Sequence, residues 1–395
     1  MDMKVAMFSD SYLPYRSGVV SSLEVFKEEL ESLGHDIFIF APSYPAQRKA
    51  GEKGEIEKKE ERVFRFLSIP APTNKDFTLA IPFHPDLKKK IDSWQPDLIH
   101  VHSPFLLGSL GAKIAKRYNL PLVFTFHTLY EEYVHYFPFA KKIVKKYIRF
   151  LAKNFCNQCD LVVVPTREVE KYLLKIGVRT KLRVVPSGIK INNFSSADPK
   201  WLRKHYGIAE QEKILLFVGR LGQEKNIIFL LETFFVLSKS CPEAILMLVG
   251  GGPEEKALRS MVEKAGLQKK VFFAGTVSKE EVPNYYAGAD LFVFASVTET
   301  QGLVIAEAKA AGLPVIAVEA YGVREMVEHG VDGFLTGLDK KEFTARALTL
   351  LKNEKLKEEF SRRAKINARK FSSRNCAMLL LEGYEDVLKG RGEGG

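Results

Sequence analysis

Lys213-Ile214-Leu215-Leu216-Phe217-Val218-Gly219-Arg220-Leu221-Gly222-Gln223-Glu224-Lys225-Asn226 decides how the rest of the chain is read. Five consecutive apolar residues stop at a glycine, and a helical pattern opens just beyond. An apolar run of that length predicts a strand buried on both faces, as in a parallel sheet. Similar runs follow at 245–249, 271–274, 291–295 and 314–318, with helical patterns between them. Upstream, strand patterns at 4–8, 36–40, 97–101, 122–126 and 160–165 alternate with helices such as 18–33. The chain therefore reads as α/β, with two doubly wound domains. The join falls around residues 186–198, which carry Pro, Gly, Ser and Asn. Open sheets of this kind bind ligands beyond the carboxyl ends of their strands. If the two sheets face each other, those ends line a common cleft. Residues 46–62 read as a solvated loop. Helical patterns fill most of 340–389, and 390–395 reads as a disordered tail.

The totals agree with this division. A chain of 395 residues exceeds one typical core. No apolar run approaches the ~18 residues that span a bilayer. The first residues enter a strand pattern without the features of a signal peptide, so a cytoplasmic location is expected. Cys156 and Cys159 form a C-x-x-C with no second pair at zinc spacing, which favours a structural role over redox or metal chemistry. The net charge of +11 is uneven. Residues 1–190 carry 30 Lys and Arg against 21 Asp and Glu, and the remainder carries 29 against 27. A basic half suits an anionic partner such as a membrane surface; it is equally a solvated surface rich in Lys. A nucleic-acid partner is not expected, because no zinc finger, RNA-recognition motif or aromatic-interleaved basic stripe is present.

Chemistry is sought just after the strands. Arg220 and Lys225 sit between a strand and a helix, where a guanidinium, an ammonium and free helix N–H groups suit a diphosphate. Glu299-Thr300-Gln301-Gly302-Leu303-Val304-Ile305-Ala306-Glu307 crosses another strand-to-helix turn. Its two carboxylates can accept from sugar hydroxyls, and its loop N–H groups point toward a ligand. Ser17-Gly18-Val19 opens the first helix and is a further anion-ready start, without the G-x-G-x-x-G fingerprint. Gly250-Gly251-Gly252 is followed by Pro253-Glu254-Glu255, a negative helix start that suits a tight turn or a neutral ligand edge. His127 ends one strand and is placed for the cleft. His100 and His102 bracket another strand end, and His100 reads as a structural histidine. A basic amphipathic helix is expected over 138–159. Lys141, Lys142, Lys145, Lys146, Arg149 and Lys153 form its polar set. Phe139, Ile143, Tyr147, Ile148, Leu151 and Phe155 supply much of its apolar set. Such a helix either lies in an anionic membrane interface or packs its apolar face on the sheet.

These motifs resemble retaining glycosyltransferase family 4. Ser296 through Glu299 and Glu307 to Gly322-Val323-Arg324-Glu325 resembles the donor-site signature. Val218-Gly219-Arg220 with Lys225-Asn226 resembles the diphosphate clamp. Val185-Pro186-Ser187-Gly188-Ile189 resembles the interdomain turn, where Asn is commoner than Ser187. The resemblance implies the glycosyltransferase B fold, two facing Rossmann-like domains with a deep cleft between them. The acceptor-binding domain would span 1–188 with the helix 372–395 crossing back, and the nucleotide-sugar domain 189–371. It also implies that Arg220 and Lys225 hold the donor diphosphate, that Glu307 binds the ribose and that Val277 lies near the base. Glu299, with Thr300 and the N–H groups of Gln301, Gly302 and Leu303, would hold the transferred sugar. Ser17, Gly18 and Val19 would add contacts to the diphosphate.

The stretch from His127 through Tyr130 and Tyr133 to Tyr136, with Ser17-Gly18-Val19 and His102-Ser103-Pro104-Phe105, resembles the subgroup that glucosylates diacylglycerol. The expected reaction moves a hexose, glucose from UDP-glucose, to a hydroxyl with retention. His127, Glu299, Arg220 and Lys225 would carry it, with His102, His127, Tyr130 and Tyr133 around a lipid acceptor. Lys141, Lys142, Lys145, Lys146 and Arg149 would touch the inner face of the cell membrane. No Asp-x-Asp motif appears at a strand end, so cationic side chains are expected in place of a metal. The alternatives are a soluble transferase acting on a sugar, sugar phosphate or small metabolite, a mannosyltransferase using GDP-mannose, and a sugar-nucleotide epimerase.

Overall fold

In the computed structural model, residues 2–44, 62–71, 74–129, 131 and 141–392 are described. The chain forms two compact units, Met1–Gly188 with Ser373–Gly395, and Ile189–Ser372.

In the first unit the strands are β1 (Lys4–Phe8), β2 (Asp36–Pro42), β3 (Val63–Phe66), β6 (Leu98–Val101), β7 (Leu122–Thr125), β8 (Leu161–Val164) and β9 (Leu182–Val184). They pair in the order β3-β2-β1-β6-β7-β8-β9, all parallel. An antiparallel hairpin, β4 (Ser68–Ala71) and β5 (Asn74–Ala80), is inserted after β3. Alternation along the strands splits the core between the two faces. Phe8, Phe40, Val101 and Phe124 face one side, with helices α3 (Leu106–Arg117), α4 (Lys141–Cys156) and α5 (Arg167–Lys175). Val5, Ile37, Leu98 and Val123 face the other, against α1 (Gly18–Ser32) and the last helix, α15 (Ser373–Gly392). A short helix α2 (Leu87–Trp94) precedes β6. The last helix is tied down by polar bonds as well. Ser373 Oγ donates to Glu29 at 2.5 Å, and the Arg391 guanidinium donates to Asp160 at 2.9 Å.

The second unit has β10 (Lys213–Val218), β11 (Ala244–Val249), β12 (Val271–Gly275), β13 (Leu291–Phe294), β14 (Val315–Val318) and β15 (Gly333–Thr336). They pair as β12-β11-β10-β13-β14-β15, again all parallel. Helices α6 (Ile191–Ser195), α7 (Trp201–Tyr206), α8 (Ile227–Ser240), α9 (Glu255–Lys264), α10 (Val282–Gly288), α11 (Leu303–Ala311), α12 (Val323–Met326), α13 (Lys340–Lys352) and α14 (Glu354–Ala368) accompany one contiguous core. In both sheets the strand order reverses beside the first strand of the unit. That is the switch point where the carboxyl ends of adjacent strands leave a crevice. It lies between β1 and β6 in one unit and between β10 and β13 in the other.

Some segments differ from the sequence reading. The helix expected over 138–159 is α4, Lys141–Cys156, and 138–140 lie outside the described residues. So do 46–61 of the expected loop. Residues 390–392, read as part of a disordered tail, continue α15, because that helix is anchored along its length. Cys156 and Cys159 are buried free thiols, and burial pushes Cys156 up to about 12.

Candidate functional site

At the switch point of the second sheet, the loop after β10 carries Arg220. Its side chain is exposed, and it has no ion-pair partner among the described residues. The glycine turn after β11 supports this loop. Gly250 adopts φ +124°, and a Cβ there would stand 2.0 Å from the Gly219 carbonyl oxygen. Leu221 N–H donates to the Gly251 carbonyl at 2.9 Å, and Glu254 N–H donates to the Leu221 carbonyl at 3.0 Å. The triple glycine is thus a tight turn that shapes the Arg220 loop by close backbone approach. A short 3-10 turn, Gln223–Lys225, then leads into α8.

Lys225 Nζ is bonded to the Glu299 carboxylate, which comes from the loop after β13. The two side chains are 19% and 18% exposed, so the pair is largely withdrawn from water. The two loops are also joined where Ser296 Oγ donates to the Glu224 carbonyl at 3.0 Å. Gly302, at φ +89°, begins α11 with no side-chain cap, so the helix start presents backbone N–H groups. Thr300 and the buried Gln301 precede it, and Leu303 is its first residue. Further along α11, Glu307 Oε2 accepts from Tyr286 Oη at 2.8 Å. Burial pushes Glu307 up to about 7, against the lowering effects of that hydrogen bond and of the Lys279 charge. Val277 is half-buried just past the end of β12.

At the switch point of the first sheet, Ser17 caps α1 by accepting from Val20 N–H at 3.3 Å. Gly18 lies exposed at the helix start, with Val19 half-buried beside it. Asp10, beyond β1, accepts from Leu107 N–H at 2.7 Å and from the Ser103 hydroxyl. It fastens the β6–α3 turn to the β1–α1 loop, and burial raises its carboxyl pKa. His100 is fully buried between Tyr384 Oη, at 2.6 Å from Nδ1, and Thr125 Oγ1, at 2.7 Å from Nε2. It is a structural histidine that joins α15 to the sheet. His102 is 1% exposed, with Nδ1 3.0 Å from Nε2 of the half-buried His127. Tyr130 and Tyr133 lie outside the described residues. Among the described residues, no group of three or more His, Cys, Asp or Glu side chains is placed to hold a metal ion.

Sequence profiles match most of this chain: "Glycosyltransferase Family 4" over residues 16–193 and "Glycosyl transferases group 1" over residues 200–370. The alpha-monoglucosyldiacylglycerol synthase of Acholeplasma laidlawii is 30% identical over 394 residues, covering 96% of this chain and 97% of that one. The enzyme of the same name from Streptococcus pneumoniae is 33% identical over 320 residues, covering 80% and 71%. The chain belongs to glycosyltransferase family 4. It is a hexosyltransferase of the retaining class. Its fold matches that of Anabaena Alr3699/HepE, solved with UDP and glucose, at a TM-score of 0.78 and 22% identity, covering 97% of this chain and 100% of that one. The two parallel-sheet units are those of the glycosyltransferase B fold.

In this family 4 transferase, α4 packs on the core with only part of its expected apolar set. Ala152, Phe155 and Cys156 are buried in the unit's core, whereas Ile143, Tyr147, Phe150 and Leu151 are exposed, Ile143 by 72%. Arg149 is forked onto the buried Glu131, with Nη2 3.0 Å from Oε1, and Lys145 Nζ lies 3.7 Å from the same carboxylate. Two of the five cations assigned to a membrane thus have an internal acid beside them. Lys142 and Lys146 are exposed, and nothing is described of the Lys141 side chain. No helix among the described residues is long and apolar enough to cross a membrane. Sequence reasoning missed Asp10, Tyr286 and Glu131. For Asp10 a signal was present, a lone acid just past the first strand. Tyr286 carries no such signal in the sequence.

Proposed function

We propose that this transferase moves glucose from UDP-glucose, with retention, to the hydroxyl of a lipid such as diacylglycerol. The observation that carries the reading is the switch point of the second unit. There Arg220, the Lys225–Glu299 pair, the uncapped start of α11 and the half-buried Glu307 occur on adjoining post-strand segments. Cations suit a diphosphate, and carboxylates suit the hydroxyls of a ribose and a hexose. Arg220 and Lys225 would offset charge growing on the leaving diphosphate, the term that most often dominates such catalysis. Ser17, Gly18 and Val19 would add N–H groups to that anion. Glu299 with Thr300, Gln301, Gly302 and Leu303 would hold the hexose, Glu307 the ribose, and Val277 the base edge. The acceptor oxygen forms the new bond to the anomeric carbon on the face the diphosphate leaves. Its proton passes to a departing phosphate oxygen, so no second carboxylate is required. Tyr130 and Tyr133 would flank the acceptor, together with His127, which would also contact the transferred sugar.

The lipid reading is supported by the two synthases and by α4, whose exposed Ile143, Tyr147, Phe150 and Leu151 stand beside Lys142 and Lys146. A face of that composition suits an anionic bilayer surface. The enzyme would then work peripherally on the cytoplasmic face of the membrane. The test offers UDP-glucose or GDP-mannose with diacylglycerol in phosphatidylglycerol-containing vesicles. Glucosyl-diacylglycerol formation and salt-sensitive sedimentation with the vesicles are expected. Transfer from GDP-mannose alone, product only on soluble sugars or sugar phosphates, or donor epimerisation without acceptor would overturn the proposal.

Glu307 adds a pH dependence. Ribose hydroxyls donate to the ionised carboxylate, and the free carboxyl titrates at about 7. Protonation as pH falls removes the acceptor, so UDP should bind about tenfold more weakly at pH 6 than at pH 8. Calorimetric titration of wild type and Glu307→Gln checks this. The variant should bind weakly with a flat profile, and an equally flat wild-type profile would remove Glu307 from the ribose site.

A further inference from the structure

We propose that His102 is a positioning residue that fixes the tautomer of His127, so that His127 carries its proton on Nδ1 and acts as a hydrogen-bond donor, not as a base. The two rings lie 5.3 Å apart between centroids, 22° from parallel, joined by the 3.0 Å contact between His102 Nδ1 and His127 Nε2. Burial holds His127 down at about 4 and His102 well below its ordinary value, so both rings are neutral at physiological pH. A single proton therefore sits between them, and two arrangements exist. In one, His102 Nδ1–H donates to His127 Nε2, and His127 is protonated on Nδ1. In the other, His127 Nε2–H donates to His102 Nδ1, and His102 must be protonated on Nε2.

The environment of His102 Nε2 distinguishes the two. That atom is buried and has no hydrogen-bond partner among the described residues. A buried N–H without an acceptor is rarer than an under-satisfied acceptor, so the first arrangement is favoured. The ring has little freedom to escape by turning. Its backbone N–H donates to the Phe8 carbonyl at 2.9 Å, and the His100 ring packs behind it at 4.2 Å. Ser103, the next residue, is held by Asp10. His102 thus stands behind His127, not against an acceptor. His127 would offer Nδ1–H to an oxygen of the transferred hexose. This last step rests on the assignment of His127 to the sugar made above.

The test uses the full-length protein labelled with 15N-histidine. Long-range 1H–15N correlation separates protonated from bare ring nitrogens, and comparison with His127→Gln assigns His127 among the eight histidines. Wild type should show His127 protonated on Nδ1 and bare on Nε2. In His102→Gln the amide can still donate to His127 Nε2, so the tautomer and the transfer rate should persist. In His102→Leu the Nδ1 preference should be lost, and kcat should fall about tenfold, as for one lost hydrogen bond, with KM for UDP-glucose little changed. A wild-type His127 protonated on Nε2 overturns the inference whatever the kinetics. Wild-type transfer by His127→Gln would instead sink the placement of His127 at the sugar, and leaves the tautomer measurement to stand by itself.

Discussion

Lys225→Ala should lower kcat/KM for glucosyl transfer by about 10²–10³-fold, the usual cost of deleting one preorganised charge at a leaving group. Glu299→Gln should cost a similar factor in transfer, through the loss of a carboxylate acceptor for the hexose. The two substitutions part company in their effect on UDP. Lys225 is bonded to Glu299, so a diphosphate would compete with that carboxylate for the ammonium. Glu299→Gln removes the competing charge and should tighten UDP binding, while Lys225→Ala should weaken it. A carboxylate left in a largely buried setting without its cation is also disfavoured, which adds to the Lys225→Ala deficit. Calorimetric titration with UDP, alongside initial rates with UDP-glucose, separates these effects. Unchanged UDP affinity in both variants would place the diphosphate elsewhere.

The largest stability effect is expected from Lys309. Its ammonium lies 2.5 Å from the Asp332 carboxylate, and both side chains are fully buried. Lys309 Nζ also donates to the Met326 carbonyl at 2.8 Å. Asp332 accepts from Asn367 Nδ2 at 2.8 Å and from Glu328 N–H at 2.9 Å. Lys309→Met strands a carboxylate in the core and should cost about 3–5 kcal/mol. For a unit of this size the melting temperature should fall by about 10 °C or more. Lys309→Met with Asp332→Leu, which leaves no buried charge, should recover much of the loss. Lys309 follows Glu307 on α11, so weakened UDP binding should accompany the drop in the single variant. A single variant that melts like wild type would show that the pair is solvated.

Central parallel strands were legible because each is a short apolar run bounded by polar turns. Strands without a continuous apolar run were not: Arg183 interrupts β9, Asn74-Lys75-Asp76 opens β5, and β15 runs only from Gly333 to Thr336. On α4 the buried side was legible only at Phe155, because its other buried residues, Ala152 and Cys156, are small and stand out neither by size nor by charge. The placement of Arg220, Lys225 and Glu299 just after strands, and of Glu307 on the helix that follows, was legible because post-strand positions are few. Their partners were not, since Tyr286 meets Glu307, and Asp10 meets Ser103, only through the sheet order. His102 looked like a ligand contact in the sequence. Its burial behind His127 is a fact of packing between strand ends that no spacing rule encodes.

The assignment of α15 to the first unit sets an order of biosynthesis. Residues 189–372 hold everything the second unit needs, whereas the first unit lacks Leu380, Tyr384 and Val387 until the ribosome has passed them. Until then His100 has no Tyr384 to meet, and the part of that face of the first sheet not covered by α1 stands open. The portion translated first is thus the portion completed last, and the nascent enzyme carries an open apolar face that a chaperone can hold.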